Sequence, residues 1–197
     1  MSRGVSRAAG RLGLLLAPGA GADRDQATLV ALDRAVTAAG ATVVRMDFPY
    51  RKVGRRAPDR PAVLLRSVET EAAALAGGPL VLGGRSVGGR ICSMAVAEGG
   101  APRAAGLLLV SYPLHPPGKP DRLRTGHFPS ITVPCLFVSG TRDAFGSPAE
   151  LEEATSAIAG PVVHHWMDRK DHSLRGVDAW ICEVALDWLR GLGLVQA

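Results

Sequence analysis

The sequence has no apolar run approaching the ~20 residues that a membrane-spanning helix needs. It has only three cysteines, Cys92, Cys135 and Cys182, far apart and each inside an apolar pattern. That excludes a disulfide framework and a metal knuckle, and suits buried thiols in a reducing compartment. There is no internal repeat and no shift in composition that marks a second domain. Phosphate-binding fingerprints are missing too. From Gly83 the chain supplies Gly88, but then Gly89 where a P-loop needs lysine. No register there places glycines at the first, third and sixth positions of a dinucleotide fingerprint. Acids are missing from Ser2–Arg11, a basic stretch followed by the apolar Leu12–Ala17 and then Ala20-Gly21-Ala22. This resembles a signal peptide, but its apolar core is short and broken by Gly13, and cleavage would remove the first strand of the sheet. Residues 1–10 are therefore read as a frayed tail, residues 11–197 as one domain, and the compartment as the cytoplasm.

What the sequence does have is a 47% hydrophobic share, a 21% charged share and a net charge of +5, nearly all of it from arginine. At 197 residues it can bury a sizeable core. Arg51-Lys52-Val53-Gly54-Arg55-Arg56 is the densest basic cluster. No nucleic-acid-binding motif accompanies it, so it reads as a solvated loop. An anionic substrate group reaching that loop is a further reading.

Apolar strand patterns alternate with helical ones along the whole chain. Strands are expected at 12–17, 41–47, 79–84, 104–111, 133–139 and 161–167. The first helix is expected through Ala39, capped by Asp23 or Asp25, with Leu29, Leu32 and Val36 inward. Phe48–Pro61 reads as a long loop, and helices follow at 62–76 and 87–98. Tyr112–Ser130 holds five prolines and is read as a loop long enough to be functional. Ser147-Pro148-Ala149-Glu150 is a capping box with proline at the first helical position. The last helix, 177–190, carries Trp180, Val184 and Trp188 on one stripe. Near-continuous apolar strands imply a mostly parallel central sheet of about six strands with helices on both faces. Sites on such sheets lie at the carboxyl ends of the strands.

One of those ends is Leu80-Val81-Leu82-Gly83-Gly84-Arg85-Ser86-Val87-Gly88-Gly89-Arg90. An apolar run meets Gly-x-Ser-x-Gly and a helical pattern begins at once, the setting of a nucleophile elbow. The competing reading is a glycine-rich turn whose serine only caps the helix. Two further loops hold reactive types: Asp143 follows the fifth strand and His172 the sixth. A serine hydroxyl is a poor nucleophile until a base takes its proton. His172 is the expected base and Asp143 its orienting acid. The backbone N–H groups of Val87 and Ala20 are the expected oxyanion donors; Pro18 has none. Asp143 has the alternative of capping the turn before Ser147, His172 that of a surface histidine, and Asp121 is the fallback acid. Arg85, Tyr112, His115 and His127 are candidate substrate contacts. His164 and His165 are strand neighbours that face opposite ways, so they do not share a metal. His164, Asp168 and His172 lack helical spacing, and no metal site is expected.

The chain order Ser…Asp…His is the one α/β-hydrolases use. At these residues the sequence resembles the small α/β-hydrolase family that bacteria share with testis-expressed and NSL-complex-subunit relatives, and more broadly the dienelactone hydrolases. The resemblance is carried by Leu16-Ala17-Pro18-Gly19-Ala20-Gly21, Gly83–Arg90, Ser111-Tyr112-Pro113-Leu114-His115-Pro116-Pro117-Gly118-Lys119-Pro120, Leu123-Arg124-Thr125 and Gly140-Thr141-Arg142-Asp143-Ala144-Phe145-Gly146. It implies a compact α/β-hydrolase fold without a cap domain, and a triad of Ser86, Asp143 and His172. Many hydrolases have histidine before the first-loop glycine, where this chain has Pro18. The function implied is a serine hydrolase that cleaves a small ester, thioester or lactone through an acyl-enzyme, with no cofactor. The alternative is a non-catalytic binding or scaffold protein on the same fold. The expected partner is a small-molecule substrate, not nucleic acid or membrane, and the chain is expected to be a monomer or homodimer.

Overall fold

The structure, a computed structural model, describes residues 10–75 and 77–196. The expected tail falls on residues 1–9, outside the described residues, apart from Gly10. Six strands form one sheet: β1 (Gly13–Ala17), β2 (Thr42–Arg45), β3 (Leu80–Arg85), β4 (Ala104–Val110), β5 (Cys135–Gly140) and β6 (Val162–Met167). Their spatial order is β2-β1-β3-β4-β5-β6, and every neighbouring pair is parallel. The helices are α1 (Ala27–Ala38), α2 (Pro49–Lys52), α3 (Pro61–Ala74), α4 (Val87–Ala97), α5 (Pro148–Thr155) and α6 (Asp178–Gly191), with a 3₁₀ turn at Phe128–Ser130. Among the described residues no helix is long and apolar enough to cross a membrane.

Side-chain alternation splits the strands between two cores. Leu14, Leu16, Val81, Leu108, Val110, Leu136 and Val138 face α1 and α6. Leu15, Leu82, Leu107, Leu109 and Phe137 face α3 and α4. Both faces being covered, the four inner strands β1, β3, β4 and β5 are apolar on both sides, which is why they read as runs and not as alternations.

Local chemistry moved three details from where the sequence pointed. No side chain caps α1; its N-cap is Gln26. Asp23 and Asp25 are taken by arginines instead, Asp23 by Arg51 at 3.1 Å and Asp25 by Arg45 at 2.8 Å. The loop after β2 contains α2, which opens with Pro49 at the helix start. The buried stripe of α6 is Ile181, Val184, Ala185 and Leu189. Trp180 and Trp188 flank it half-buried, and Trp188 lies over Gly106, where a Cβ would come within 2.8 Å of its ring.

The strand order sets where a site can form. The chain leaves β1 for β2 on one side and returns to β3 on the other, so the β1 and β3 loops diverge at a topological switch point. The loops after β5 and β6 open at the same edge of the sheet.

Candidate active site

The turn from β3 into α4 needs two backbones to pass almost in contact. A Cβ on Gly84 or on Gly88 would lie 2.1 Å from the carbonyl oxygen of Ala17 in β1. Only glycine fits at either position. Ser86 between them sits at φ 52°, ψ −119°, a sparsely populated conformation for a residue with a side chain. Its N–H donates to Val110 O at 2.9 Å, so the strain is held by the neighbouring strand. Its hydroxyl does not cap α4. It lies 2.9 Å from His172 Nε2.

His172 comes from the loop after β6. Its Nδ1 is 2.8 Å from Oδ2 and 3.0 Å from Oδ1 of Asp143, whose side chain is 1% exposed. A carboxylate can only accept, so Nδ1 carries the proton and Nε2 presents a lone pair to the serine hydroxyl. Asp143 Oδ1 also accepts the N–H of Phe145 at 2.8 Å, so the turn and the histidine share one acceptor. The Phe145 ring packs on the imidazole with centroids 4.1 Å apart. The two loops are pressed together at Gly140, where a Cβ would lie 2.1 Å from Lys170 O. Arg142 N–H donates to the same carbonyl at 2.8 Å.

In the first turn of the loop after β1, from Pro18 to Ala22, one backbone donor is uncommitted among the described residues. Gly19 N–H goes to Gln26 Oε1 at 3.0 Å, Gly21 N–H to the Tyr50 hydroxyl at 3.3 Å, and Ala22 N–H to Gly19 O at 3.2 Å. Pro18 has no N–H. Ala20 N–H has no partner among the described residues. The N–H of Val87 opens α4, where no preceding carbonyl of the helix reaches it.

The four candidate substrate contacts have other occupations. Tyr112 is 2% exposed; its hydroxyl donates to Arg124 O at 3.0 Å and its ring packs between Phe128 and Phe137. Burial raises its phenol above the usual range. Tyr112 is thus placed in the core. His115 is also buried, with Nδ1 2.9 Å from Pro116 O, and its backbone N–H donates to Phe145 O at 3.1 Å. It fastens the proline-rich loop to the loop of Asp143 and does not face solvent. Arg85 turns under the histidine loop, where its Nη2 donates to His172 O at 2.6 Å. Burial holds its guanidinium below the usual arginine range, against the pull of Asp178, Asp143 and Asp171. Its reach is therefore spent on bracing His172. His127 Nε2 is 2.7 Å from Ser93 Oγ on α4. Burial first, and Arg90 second, push this imidazole down to about 4, so it is neutral at pH 7.

Asp121 is exposed in the proline-rich loop and is absent from the His172 network. His164 accepts or donates at Thr155 Oγ1, 2.9 Å away, between the rings of Phe137 and Trp166. His165 points the other way, toward Trp180. Among the described residues no group of three His, Cys, Asp or Glu side chains stands close enough to hold a metal. Sequence reasoning missed Gln26, Tyr50 and Phe145, which shape the site from behind. Only Phe145 carried a signal, its place inside the Gly140–Gly146 segment.

Residues 10–179 match the family model described as an alpha/beta hydrolase domain. Among solved structures, the chain is similar to one of LipS and LipT, two metagenome-derived lipolytic enzymes, at 15% identity and TM-score 0.76, over 92% of this chain and 94% of that one. It is similar to dienelactone hydrolase from Anabaena variabilis at 17% identity and TM-score 0.73, over 94% and 88%. It is also similar to alpha/beta hydrolase domain-containing protein 10 from mouse at 15% identity and TM-score 0.72, over 91% and 90%. At such identities the structural likeness speaks for the fold alone; the family rests on the match of the sequence itself. With a six-stranded parallel sheet, a serine elbow after β3 and a family match over most of its length, the chain belongs to the alpha/beta hydrolase family.

Proposed function

We propose that the chain is a serine hydrolase acting on a small ester, thioester or lactone. The observation that carries this reading is the unbroken chain from Ser86 Oγ through both nitrogens of His172 to the buried Asp143 carboxylate. In the reading, Nε2 of His172 takes the hydroxyl proton as Ser86 Oγ attacks the carbonyl carbon. The oxygen that gains charge is met by the N–H groups of Val87 and Ala20. The tetrahedral adduct collapses, the imidazolium gives its proton to the leaving oxygen or sulfur, and Ser86 is left acylated. Water then repeats the sequence, with His172 again as base. Asp143 fixes the tautomer and stabilises the imidazolium throughout. The ester and lactone chemistry named in the lipolytic and dienelactone relatives agrees with the substrate class.

No observation favours a purely binding role in the same way. The basic loop at Arg51–Arg56, the densest cluster of charge, is largely engaged within the chain: Arg51 with Asp23, Arg55 with Asp59 and Lys52 with Glu71. The test is a fluorophosphonate probe on the folded protein. Stoichiometric labelling is expected at Ser86 in wild type and none in Ser86→Ala. A wild-type chain that is folded and stays unlabelled overturns the reading.

A further inference from the structure

Several arginines among the described residues have no side-chain partner, and Arg90 is the one of them that buries its Nε. It lies on α4 one helical turn past Ser86, and its N–H donates to Ser86 O at 3.1 Å. Long side chains on a helix lean toward its N-terminus, so Arg90 covers the turn that presents Ser86 and Val87. Its Nε is buried and has no hydrogen-bond partner among the described residues. Arg51 and Arg85 also bury an unpaired Nε, but each guanidinium is held elsewhere, Arg51 through both Nη atoms by Asp23 and Arg55 O and Arg85 through Nη2 by His172 O. For Arg90 no such bond is found among the described residues.

Across from Arg90 the proline-rich loop brings Arg124 and, exposed to solvent, Arg122. Arg124 is half-buried and anchored through its backbone: its N–H donates to Leu114 O at 2.8 Å and its carbonyl accepts from Tyr112. Burial, then Arg90, and more weakly Arg122 hold its guanidinium below the usual range. None of the ion pairs among the described residues involves Arg90, Arg122 or Arg124. His127, clipped to Ser93 on the same helix, adds a neutral ring to the wall and no negative charge. Positive charge gathered in a partly buried place without a counter-charge costs stability. An arrangement of this kind is completed by an anion from outside, which guanidinium groups hold in paired, charge-assisted hydrogen bonds.

We propose that the space between the Ser86–Arg90 turn of α4 and residues 122–127 is an anion subsite of the ester site. It takes a carboxylate or a phosphate carried by the substrate, about one helical turn (about 5.4 Å) or more from the scissile carbonyl. The substrate is thus an ester or lactone of an anionic metabolite and not a neutral lipid. This inference rests on the hydrolase reading above and narrows it.

Three phenyl acetates test it: 4-acetoxybenzoate, 4-acetoxyphenyl phosphate and the neutral methyl 4-acetoxybenzoate. Wild type is expected to favour one of the two anionic esters over the neutral one in kcat/KM by about tenfold or more at low ionic strength, the size of one charge-assisted hydrogen bond. Which of the two wins distinguishes carboxylate from phosphate. The preference lies in KM, shrinks as salt is added, and falls to about one in the Arg90→Gln/Arg124→Gln chain. Because both arginines hold their neighbours through backbone atoms, the glutamines leave those contacts in place; a matching melting curve checks this. Equal kcat/KM for all three esters in a wild type whose Ser86 takes the probe overturns the subsite and leaves the hydrolase reading standing. So does a preference that survives in the double variant. If wild type neither takes the probe nor turns over any of the esters, the hydrolase reading fails, and calorimetric titration with 4-acetoxybenzoate and 4-acetoxyphenyl phosphate decides the subsite alone. Binding of either that is lost in the double variant supports it, and no binding of either overturns it.

Discussion

Asp143 Oδ1 serves two donors, the amide of Phe145 and Nδ1 of His172. The two readings of this residue, turn cap and orienting acid, are therefore not rivals: the bond that shapes the turn also aims the carboxylate. The consequence is testable. Asp143→Asn keeps an acceptor for Phe145 N–H but turns an amide N–H toward Nδ1, which must then give up its proton. The imidazole is driven into the tautomer with its hydrogen on Nε2, facing the serine hydroxyl, where it cannot act as a base. Labelling of Ser86 by the fluorophosphonate is expected to slow by about 10⁴-fold, with the melting temperature nearly unchanged. A slowing of less than tenfold counts against a role for Asp143 in the chemistry. At this scale the meeting of Ser86, Asp143 and His172 was legible because few reactive residues end strands, and a glycine pair announces the elbow. Arg85, Tyr112 and His115 were not. Whether a polar side chain in a loop faces solvent or the core is decided by partners far along the chain: His172 O for Arg85, Arg124 O for Tyr112, and the Asp143 loop for His115.

At the scale of elements, a local signal was reliable where its partner lay within the same turn. Ser147 and Glu150 form the capping box that their spacing announces. The Ser147 N–H and hydroxyl donate to Glu150 Oε2 at 2.8 and 2.6 Å, and the amide of Glu150 returns a bond to Ser147 Oγ. These bonds, the hydroxyl first, hold the Glu150 carboxyl below its usual range. Asp23 and Asp25 offered an equally good local signal for α1 and lost it to Arg51 and Arg45, cations supplied by the next two elements. A guanidinium bond to a carboxylate outweighs a capping bond to one amide, so the helix begins at Ala27 without a side-chain cap. Ser147→Ala, with no such competitor, is expected to lose the cap alone. The cost is about 1 kcal/mol, seen as a fall of about 2–4 °C in melting temperature for a chain of this length. No change in melting temperature overturns this account of how α5 starts. Because α5 follows directly on the Asp143 loop, probe labelling of Ser86 is the second readout, and it is expected to fall by less than threefold.

At the scale of the whole molecule, nothing in the site is local. Its parts come from the loops after β1, β3, β5 and β6, and those strands become neighbours only when β3 has entered between β1 and β4. Alternation of strands and helices made the parallel sheet readable from the sequence. The order β2-β1-β3-β4-β5-β6 was not readable, because the four inner strands are apolar on both faces and carry no mark of their neighbours. Close approaches that only glycine allows mark three junctions of that order: Gly84 and Gly88 against Ala17 join β1 to β3, Gly83 against Leu108 joins β3 to β4, and Gly140 against Lys170 joins the ends of β5 and β6. A site held by contacts of that range forms and melts with the sheet. In a urea titration, competence of Ser86 to take the fluorophosphonate and the fluorescence of Trp166, Trp180 and Trp188, on β6 and α6, are therefore expected to fall together, with one midpoint. Loss of labelling at a clearly lower urea concentration, with the fluorescence still native, is the contrary result. It means that the histidine loop opens as a unit of lower stability. In that case Arg85, whose bond to His172 O is the side-chain bond between that loop and β3, is the residue whose replacement by glutamine should widen the gap between the two midpoints.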